Sequence, residues 1–223
     1  MNTEREAVLG RVRAALGKSG RDAKAVAAAQ AAIDAHAHGP RPQLPGDDVA
    51  RFLRRATDME STIETIRDRD EVPAAVARYL DALQLPAQLA AQKSHRGVCW
   101  PEFGDLDWAR AGLDIEARPT TGDDRLGITG AFCGIAETGT LVILAAGDTP
   151  TATTLLPDTH IAILRAQRIV AGMEEAFALI RRERGRLPRA VNMISGPSRT
   201  GDIEQTIVLG AHGPYRVHIL VVP

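Results

Sequence analysis

Hydrophobic and polar positions switch repeatedly between helical and strand-like spacing after residue 46. Apolar residues recur at helical spacing near Asp48–Met59, Val72–Leu83 and Val170–Arg184, which predicts three amphipathic helices. Short apolar or β-branched runs bounded by glycine, proline and polar residues predict strands. The predicted strands lie near Thr62–Ile66, Asp114–Ala117, Thr140–Ala145, His160–Leu164, Ala190–Ser195 and Tyr215–Val222. The pattern predicts an α/β fold with an open, mostly parallel sheet and helices on both faces.

The first part of the chain follows a different pattern. A capping-box spacing at Thr3–Glu6 precedes an apolar stripe, and an alanine-rich stretch over Asp22–Ala37 favours a second helix with little to bury. Three prolines and two glycines over Gly39–Gly46 cannot continue a helix. We therefore predict an N-terminal helical arm and linker over residues 1–45 and an α/β domain over residues 46–223.

Composition narrows the classes of partner and compartment. The 223 residues include 28 acidic and 27 basic side chains, so no surplus positive charge favours nucleic acid. No apolar run is long enough for a membrane span, and the charged first residues do not suit a signal peptide. Two cysteines suit a reducing compartment. We expect a cytoplasmic protein.

A glycine-rich segment, Gly127–Thr140, is the first candidate for chemistry. Ligands of open α/β sheets bind beyond the carboxyl ends of strands, and glycines let the backbone approach them closely. Glu137 is a candidate acid or base, with Thr138, Gly139 and Thr140 as candidate substrate-binding residues. The alternative is a tight bend whose carboxylate caps a backbone amide.

A second candidate follows the predicted strand that ends at Ser195. Here Ser195, Gly196, Ser198, Arg199 and Thr200 precede a segment near Ile203–Val208 that we predict to be helical. Free amides at a helix start and the arginine would together bind a carboxylate or phosphate. The alternative is that Asp202 and Glu204 already complement that helix end.

Two histidines at loop and strand junctions are the third candidate. His160 is a candidate catalytic residue and His212 a candidate binding residue, because imidazole exchanges protons near neutral pH. The alternative for each is a structural hydrogen bond to the backbone. Phosphate-loop, dinucleotide and zinc-protease motifs do not occur, and two distant cysteines are too few for an iron–sulfur cluster within this chain.

Several motifs together resemble the LUD domain family, of the lactate utilization protein C type. The similar segments are Gly134–Leu141, Leu155–His160, Ser195–Glu204 and Gly210–Pro214. The resemblance implies a fold similar to the group of CoA-transferases and ribose-phosphate isomerases, which includes folate cyclo-ligases. It also implies a role in oxidising L-lactate to pyruvate beside two partner proteins, at least one of which carries iron–sulfur clusters.

Three hypotheses stay open at this point. In the first, the chain is a subunit without a cofactor of its own that binds lactate, pyruvate or a related anion. Arg199 and the amides after Gly196 would hold the carboxylate, and Glu137 or His160 would handle a proton. This hypothesis requires the turns after Glu137 and Ser195 to meet in one polar pocket at the sheet edge.

The other two hypotheses belong to different classes. In one, the chain is a transferase or ligase acting on a CoA ester, nucleotide or folate, with Glu137 as a carboxylate nucleophile. In the other, it is a non-catalytic assembly or regulatory subunit. The apolar stripe Val8, Leu9, Val12 and Leu16 would then dock onto the redox partner.

Overall fold

The computed structural model describes residues 3–17, 22–41, 45–83, 95–203 and 206–223. Contacts divide the chain into two units, Met1–Gln43 and Leu44–Pro223, close to the predicted boundary. The first unit contains helices α1 (Thr3–Ala15) and α2 (Ala23–Asp34), and neither contains a buried residue. The side chain of Asp22 caps α2 by accepting a hydrogen bond from the Lys24 amide at 2.9 Å.

The second unit contains four helices and twelve strands among the described residues. The helices are α3 (Asp48–Asp58), α4 (Val72–Ala82), α5 (Ala152–Leu155) and α6 (Met173–Arg184). The strands are β1 (Thr62–Thr65), β2 (Arg96–Cys99), β3 (Asp114–Ala117), β4 (Leu126–Gly130), β5 (Cys133–Ile135), β6 (Thr140–Leu144), β7 (Thr159–Arg165), β8 (Ile169–Val170), β9 (Val191–Ile194), β10 (Arg199–Ile203), β11 (Thr206–Leu209) and β12 (Arg216–Val222).

Six strands form the main sheet in the order β1-β12-β7-β4-β2-β3, with every neighbouring pair parallel. Successive residues of β12 face opposite sides, as the pleat requires. Val217 and Ile219 pack in the same core cluster as Phe52 of α3, whereas Leu220 belongs to the cluster that contains Val76 of α4. The nearly continuous apolar run of β12 is therefore buried on both faces.

A smaller sheet continues from the end of β4. It has the order β8-β5-β6-β9, in which β5 and β6 form an antiparallel pair. Cys133 and Val142 pack with Ala176 and Ile180 of α6, so this helix covers one face of the smaller sheet. The predicted α/β class and the mostly parallel main sheet are confirmed.

Two local predictions are wrong. The segment near Ile203–Val208 is not a helix, because β10 and β11 form an antiparallel hairpin there. Its β-branched residues Thr206, Ile207 and Val208 favour extended backbone. The glycine-rich segment Gly127–Thr140, expected to lie beyond a strand end, instead contains β5 and all but the first residue of β4, and both strands are buried. No helix in the described ranges is long and apolar enough to cross a membrane.

Candidate functional site

An open cleft of about 890 Å³ lies at the carboxyl end of the main sheet. Gly130, Arg165 and Val222, which are the last residues of β4, β7 and β12, line it. Strands of an open parallel sheet bind ligands at this end, because the chain reverses there and leaves a crevice between its connections. The cleft is therefore the candidate site that the topology itself indicates.

Arginine dominates the charge of this cleft. Its lining includes six arginines and four acidic residues, which gives a local surplus of two positive charges in a chain whose formal net charge is -1. The arginines are Arg67, Arg69, Arg165, Arg168, Arg184 and Arg186, and the acidic residues are Asp68, Glu102, Asp148 and Glu183. A cavity with this balance attracts anions.

Only some of these arginines are neutralised locally. Arg67 pairs with Glu71 at 3.3 Å, Arg69 pairs with Asp105, and Arg168 pairs with Glu183 at 2.6 Å. Within the described ranges, Arg165, Arg184 and Arg186 have no ion-pair partner. These three guanidinium groups are therefore the donors best placed to bind an external anion.

Glu102 lines the same cleft as Arg165. A short turn after β2, Pro101–Phe103, carries its carboxylate to the end of β4. A Cβ atom at Gly130 would lie 2.3 Å from Glu102 Oε1, so the carboxylate occupies the room that a side chain would fill. Partial burial raises the pKa of Glu102, whereas the charge of Arg165 lowers it. A carboxyl group balanced in this way can exchange a proton with a ligand.

Three aromatic side chains, Trp100, Phe103 and Phe132, belong to the apolar part of the lining. Trp100 Nε1 donates to the carbonyl of Pro150 at 3.3 Å, which ties the loop after β6 to the end of β2. Phe132 lies beneath two guanidinium groups, with Arg168 4.5 Å and Arg184 5.8 Å from the ring centroid. Aromatic faces attract guanidinium groups and hold them in position.

The turns that the sequence singled out do meet, but not in this cleft. Thr140 Oγ1 lies 2.7 Å from Ser195 Oγ and 2.7 Å from Thr138 Oγ1. Strands β6 and β9 are antiparallel neighbours in the smaller sheet, which brings the start of one beside the end of the other. Arg199 pairs with Glu60 at 2.5 Å. The cleft lining includes none of these residues, which are Glu60, Thr138, Thr140, Ser195 and Arg199.

The glycines of these turns serve close packing against the end of α3. Gly139 and Gly196 both have positive φ angles, of 67° and 76°. A Cβ atom at Gly139 would lie 2.2 Å from the amide nitrogen of Ala56, and one at Gly196 would lie 1.9 Å from the carbonyl oxygen of Met59. Only glycine fits at these two contacts without displacing the helix backbone.

The remaining predicted binding residues have structural contacts of their own. The Glu137 amide donates to the carbonyl of Ala171 at 3.0 Å. Ser198 Oγ accepts a hydrogen bond from the His212 amide at 3.3 Å. Thr200 is buried. Like the turns around Thr140 and Ser195, these residues lie outside the cleft lining.

His160 is completely buried near the start of β7, away from the carboxyl end of that strand. Its Nε2 lies 2.8 Å from Thr129 Oγ1. Burial lowers the pKa of His160 to about 4, because the interior disfavours a charged imidazole. The side chain is therefore neutral near pH 7. The catalytic role predicted for His160 and Glu137 stays a prediction.

Arg165 and Glu102 are not among the site residues predicted from the sequence. A signal for Arg165 was present, because it directly follows the apolar run of a predicted strand and so stands at the strand's carboxyl end. Glu102 had no such signal. Strand β2 was not predicted, and the contact of Glu102 with Gly130 joins residues far apart in the chain.

Metal and thiol chemistry gain no support from the cysteines. In the ranges that the structure covers, no group of three or more histidine, cysteine or acidic residues lies together as metal ligands would. Burial raises the pKa of Cys99 to about 11 and that of Cys133 to about 12. Both thiols are therefore protonated near neutral pH.

The fold and the cleft define a class of protein: an α/β protein with a parallel sheet and an arginine-rich cleft at its carboxyl end. Residues 50–222 match the family model described as LUD domain, and the chain belongs to that family. The resemblance noted from the sequence motifs is thereby confirmed.

Curated relatives carry the name lactate utilization protein C. One from Exiguobacterium is 31% identical over 195 residues, which cover 80% of this chain and 83% of that protein. One from Bacillus licheniformis is 34% identical over 129 residues, which cover 55% of this chain and 53% of that protein. The match thus spans only about half the length of the second relative.

A solved structure supports the fold alone. The crystal structure of a DUF162 family protein from Deinococcus radiodurans has a TM-score of 0.56 and 22% sequence identity. The match covers 82% of this chain and 100% of that one.

Proposed function

We propose that this protein acts in lactate utilization by binding L-lactate, pyruvate or a closely related small carboxylate in the cleft at the carboxyl end of the main sheet. Family membership and the names of the relatives support the pathway. One observation carries the location. Arg165, exposed at the end of β7 and without an ion-pair partner in the described ranges, lines the same cleft as Glu102 and is close enough for its charge to lower the pKa of that carboxyl group.

The two side chains match the two functional groups of a 2-hydroxy acid. The guanidinium group of Arg165 would donate hydrogen bonds to the substrate carboxylate, which charge makes stronger than neutral ones. Glu102 would accept the proton of the hydroxyl group, and the raised pKa of this residue suits that exchange. Trp100 would exclude water from the same end of the cleft.

Oxidation of lactate to pyruvate releases two electrons and two protons. The hydroxyl proton would pass to Glu102, and the C2 hydrogen would leave with both electrons for a redox centre of a partner protein, from which the electrons would reach iron–sulfur clusters. This chain's part is to bind and orient the substrate. The chain would then act as a subunit of a lactate-oxidising assembly, with no cofactor of its own. An acceptor has to approach the open cleft, which faces solvent.

A second location for the same ligand follows from the contact between Thr140 and Ser195. The hydroxyl groups there lie 2.7 Å apart beside the turn that leads to Arg199, so they also form a polar surface. The pairing of Arg199 with Glu60 argues against that location, because the guanidinium charge is already matched. Ligand binding by Arg165→Gln and by Arg199→Gln separates the two locations.

Calorimetry with L-lactate and pyruvate tests the proposal on matched arginine variants. Arg165→Gln is expected to weaken binding by tenfold or more, since a hydrogen bond to a charged group contributes about 1.5–3 kcal/mol. Arg199→Gln and the exposed Arg110→Gln are expected to bind as the wild type does. Loss of binding in Arg199→Gln with normal binding in Arg165→Gln would move the site to the Thr140 and Ser195 turns. Heats without saturation in the wild type would refute the proposal.

A further inference from the structure

The cleft is much larger than a three-carbon acid requires. Its volume of about 890 Å³ lies within the range of roughly 300–1,000 Å³ that is usual for sites of drug-sized ligands. A small carboxylate at Arg165 and Glu102 would leave most of this space to solvent. The other residues that line the cleft indicate what else it can bind.

Three arginines, Arg168, Arg184 and Arg186, form one part of the lining, which we call the arginine wall, and the first two lie over the Phe132 ring. Arg168 Nε donates to the carbonyl of Phe132 at 2.8 Å, and its two terminal nitrogens reach the carboxylate of Glu183 at 2.6 and 3.0 Å. The guanidinium group is thus held from two sides above the Phe132 ring. A donor fixed in this way loses little entropy when a ligand binds.

Helix α6 ends so that the other two arginines of the wall both line the cleft. Gly185, with a φ of 70°, ends the helix at Arg184 and turns the chain. Arg184 and Arg186 flank that turn, are exposed, and have no ion-pair partner in the part of the chain that the structure describes. Glu183 offsets one of the three positive charges, so the wall has a surplus of two.

We propose that the arginine wall binds a diphosphate group, so that the cleft takes a phosphorylated ligand beside or instead of the small carboxylate. Guanidinium groups match phosphate oxygens in geometry, and the surplus of two positive charges attracts the negative oxygens of a diphosphate. The apolar surface of Leu187 and Pro188 next to the wall would contact the organic part of such a ligand. This proposal shares the cleft with the proposed lactate function but uses different residues.

Calorimetric titration with inorganic pyrophosphate and with ADP tests the arginine wall. The double variant Arg184→Gln/Arg186→Gln is expected to bind both probes at least tenfold more weakly than the wild type, because each lost charge-assisted contact accounts for about tenfold. The control is Arg182→Gln, which removes one positive charge from an exposed neighbour on α6 outside the cleft lining and is compared with the single variant Arg186→Gln as well as with the double variant. The control is expected to stay within twofold.

The two probes separate the sources of the diphosphate. Tighter binding of ADP than of pyrophosphate would assign the site to an organic diphosphate whose remaining part contacts the apolar wall. Equal affinity would assign it to the diphosphate group itself. Equal losses in the double variant and in Arg182→Gln would overturn the proposal, because they would indicate general attraction to a charged surface. Failure of the wild type to bind either probe would overturn it as well.

Lactate titrations on the same variants distinguish this proposal from the lactate function. The double variant is expected to weaken lactate binding by no more than about fivefold, through the loss of positive charge from the cleft, whereas Arg165→Gln is expected to weaken it by about tenfold or more. If the wild type bound lactate but neither pyrophosphate nor ADP, only the proposal that the arginine wall binds a diphosphate would be overturned. Binding of the phosphorylated probes without lactate binding would overturn the lactate function alone. Thermal melting monitors folding, and the single variant Arg186→Gln serves as a second test if the double variant is unstable.

Discussion

The two ends of the main sheet carry ionisable groups in opposite settings. Near the amino end, His160 and His218 are buried, and each shares a hydrogen bond with a threonine hydroxyl, Thr129 or Thr62, at 2.8 Å. At the carboxyl end, Arg165 and Glu102 stand in an open cleft. Histidine is the side chain usually first suspected of proton transfer, yet here both imidazoles belong to the packed interior. Position along a strand, more than residue type, therefore decides which groups can reach a ligand.

Acid should lower the free energy of unfolding mainly through the two buried histidines near the amino end of the sheet. Burial lowers the pKa of both His160 and His218 to about 4, whereas the unfolded chain has the ordinary value of about 6.5. The unfolded chain therefore binds protons that the folded chain rejects, so stability is complete above about pH 6.5 and declines as the pH falls toward about 4. We expect the free energy of unfolding to drop by roughly 4 kcal/mol between about pH 7.5 and about pH 5. Urea denaturation across this range measures it.

Matched histidine variants give the control for the acid effect. His218→Phe keeps a ring that can stack on Tyr79, whose centroid lies 4.0 Å from that of the imidazole, and should remove about half of the decline. His212→Asn removes an exposed histidine and should leave the decline unchanged. A decline that is the same in all three proteins would show that the buried histidines are not its source.

Strand β4 offers a direct comparison of the two ends through its glycines. A Cβ atom at Gly127 would lie 2.3 Å from the carbonyl oxygen of Thr153, which is backbone and cannot move away. A Cβ atom at Gly130 would lie 2.3 Å from Glu102 Oε1, the end of a flexible side chain. Gly127→Ala should therefore cost about 2–3 kcal/mol of stability and Gly130→Ala less than about 1 kcal/mol. Chemical denaturation of both variants measures the difference, and equal losses would contradict the contrast.

The smallest expected effect concerns the pH dependence of ligand binding at the carboxyl end. The pKa of Glu102 is raised by partial burial, so lowering the pH toward about 5.5 protonates it more readily than an ordinary glutamate. Loss of its charge should tighten pyruvate binding by about two- to fivefold, because a nearby negative charge no longer repels the ligand. Glu102→Gln should bind pyruvate with an affinity that does not change over this range. Calorimetry at several pH values measures this difference. If Glu102→Gln showed the same pH dependence as the wild type, Glu102 would be excluded as its source.

Much of the fold could be predicted from local pattern. The apolar runs of β7 and β12 and the amphipathic spacing of α3 and α4 are long enough to identify these elements without tertiary information. The short strands β4 and β5 could not be identified, since glycine interrupts both and each contributes few side chains. The β10–β11 hairpin was mistaken for a helix because the glycine and proline residues before it also suit a helix start.

Local spacing and composition were enough to predict the α/β class and the family, because periodicity and short motifs can be recognised without tertiary contacts. The contact between Thr140 and Ser195 depends instead on the antiparallel pairing of β6 with β9. Only the tertiary structure decided where an anion can enter. The cleft exists because parallel strands from distant parts of the chain end side by side, which places Arg165, Glu102 and Arg184 around one space. Tertiary packing likewise keeps His160 away from any ligand, because the interior buries this side chain and holds it neutral. The local sequence pattern does not show how deeply a residue is buried.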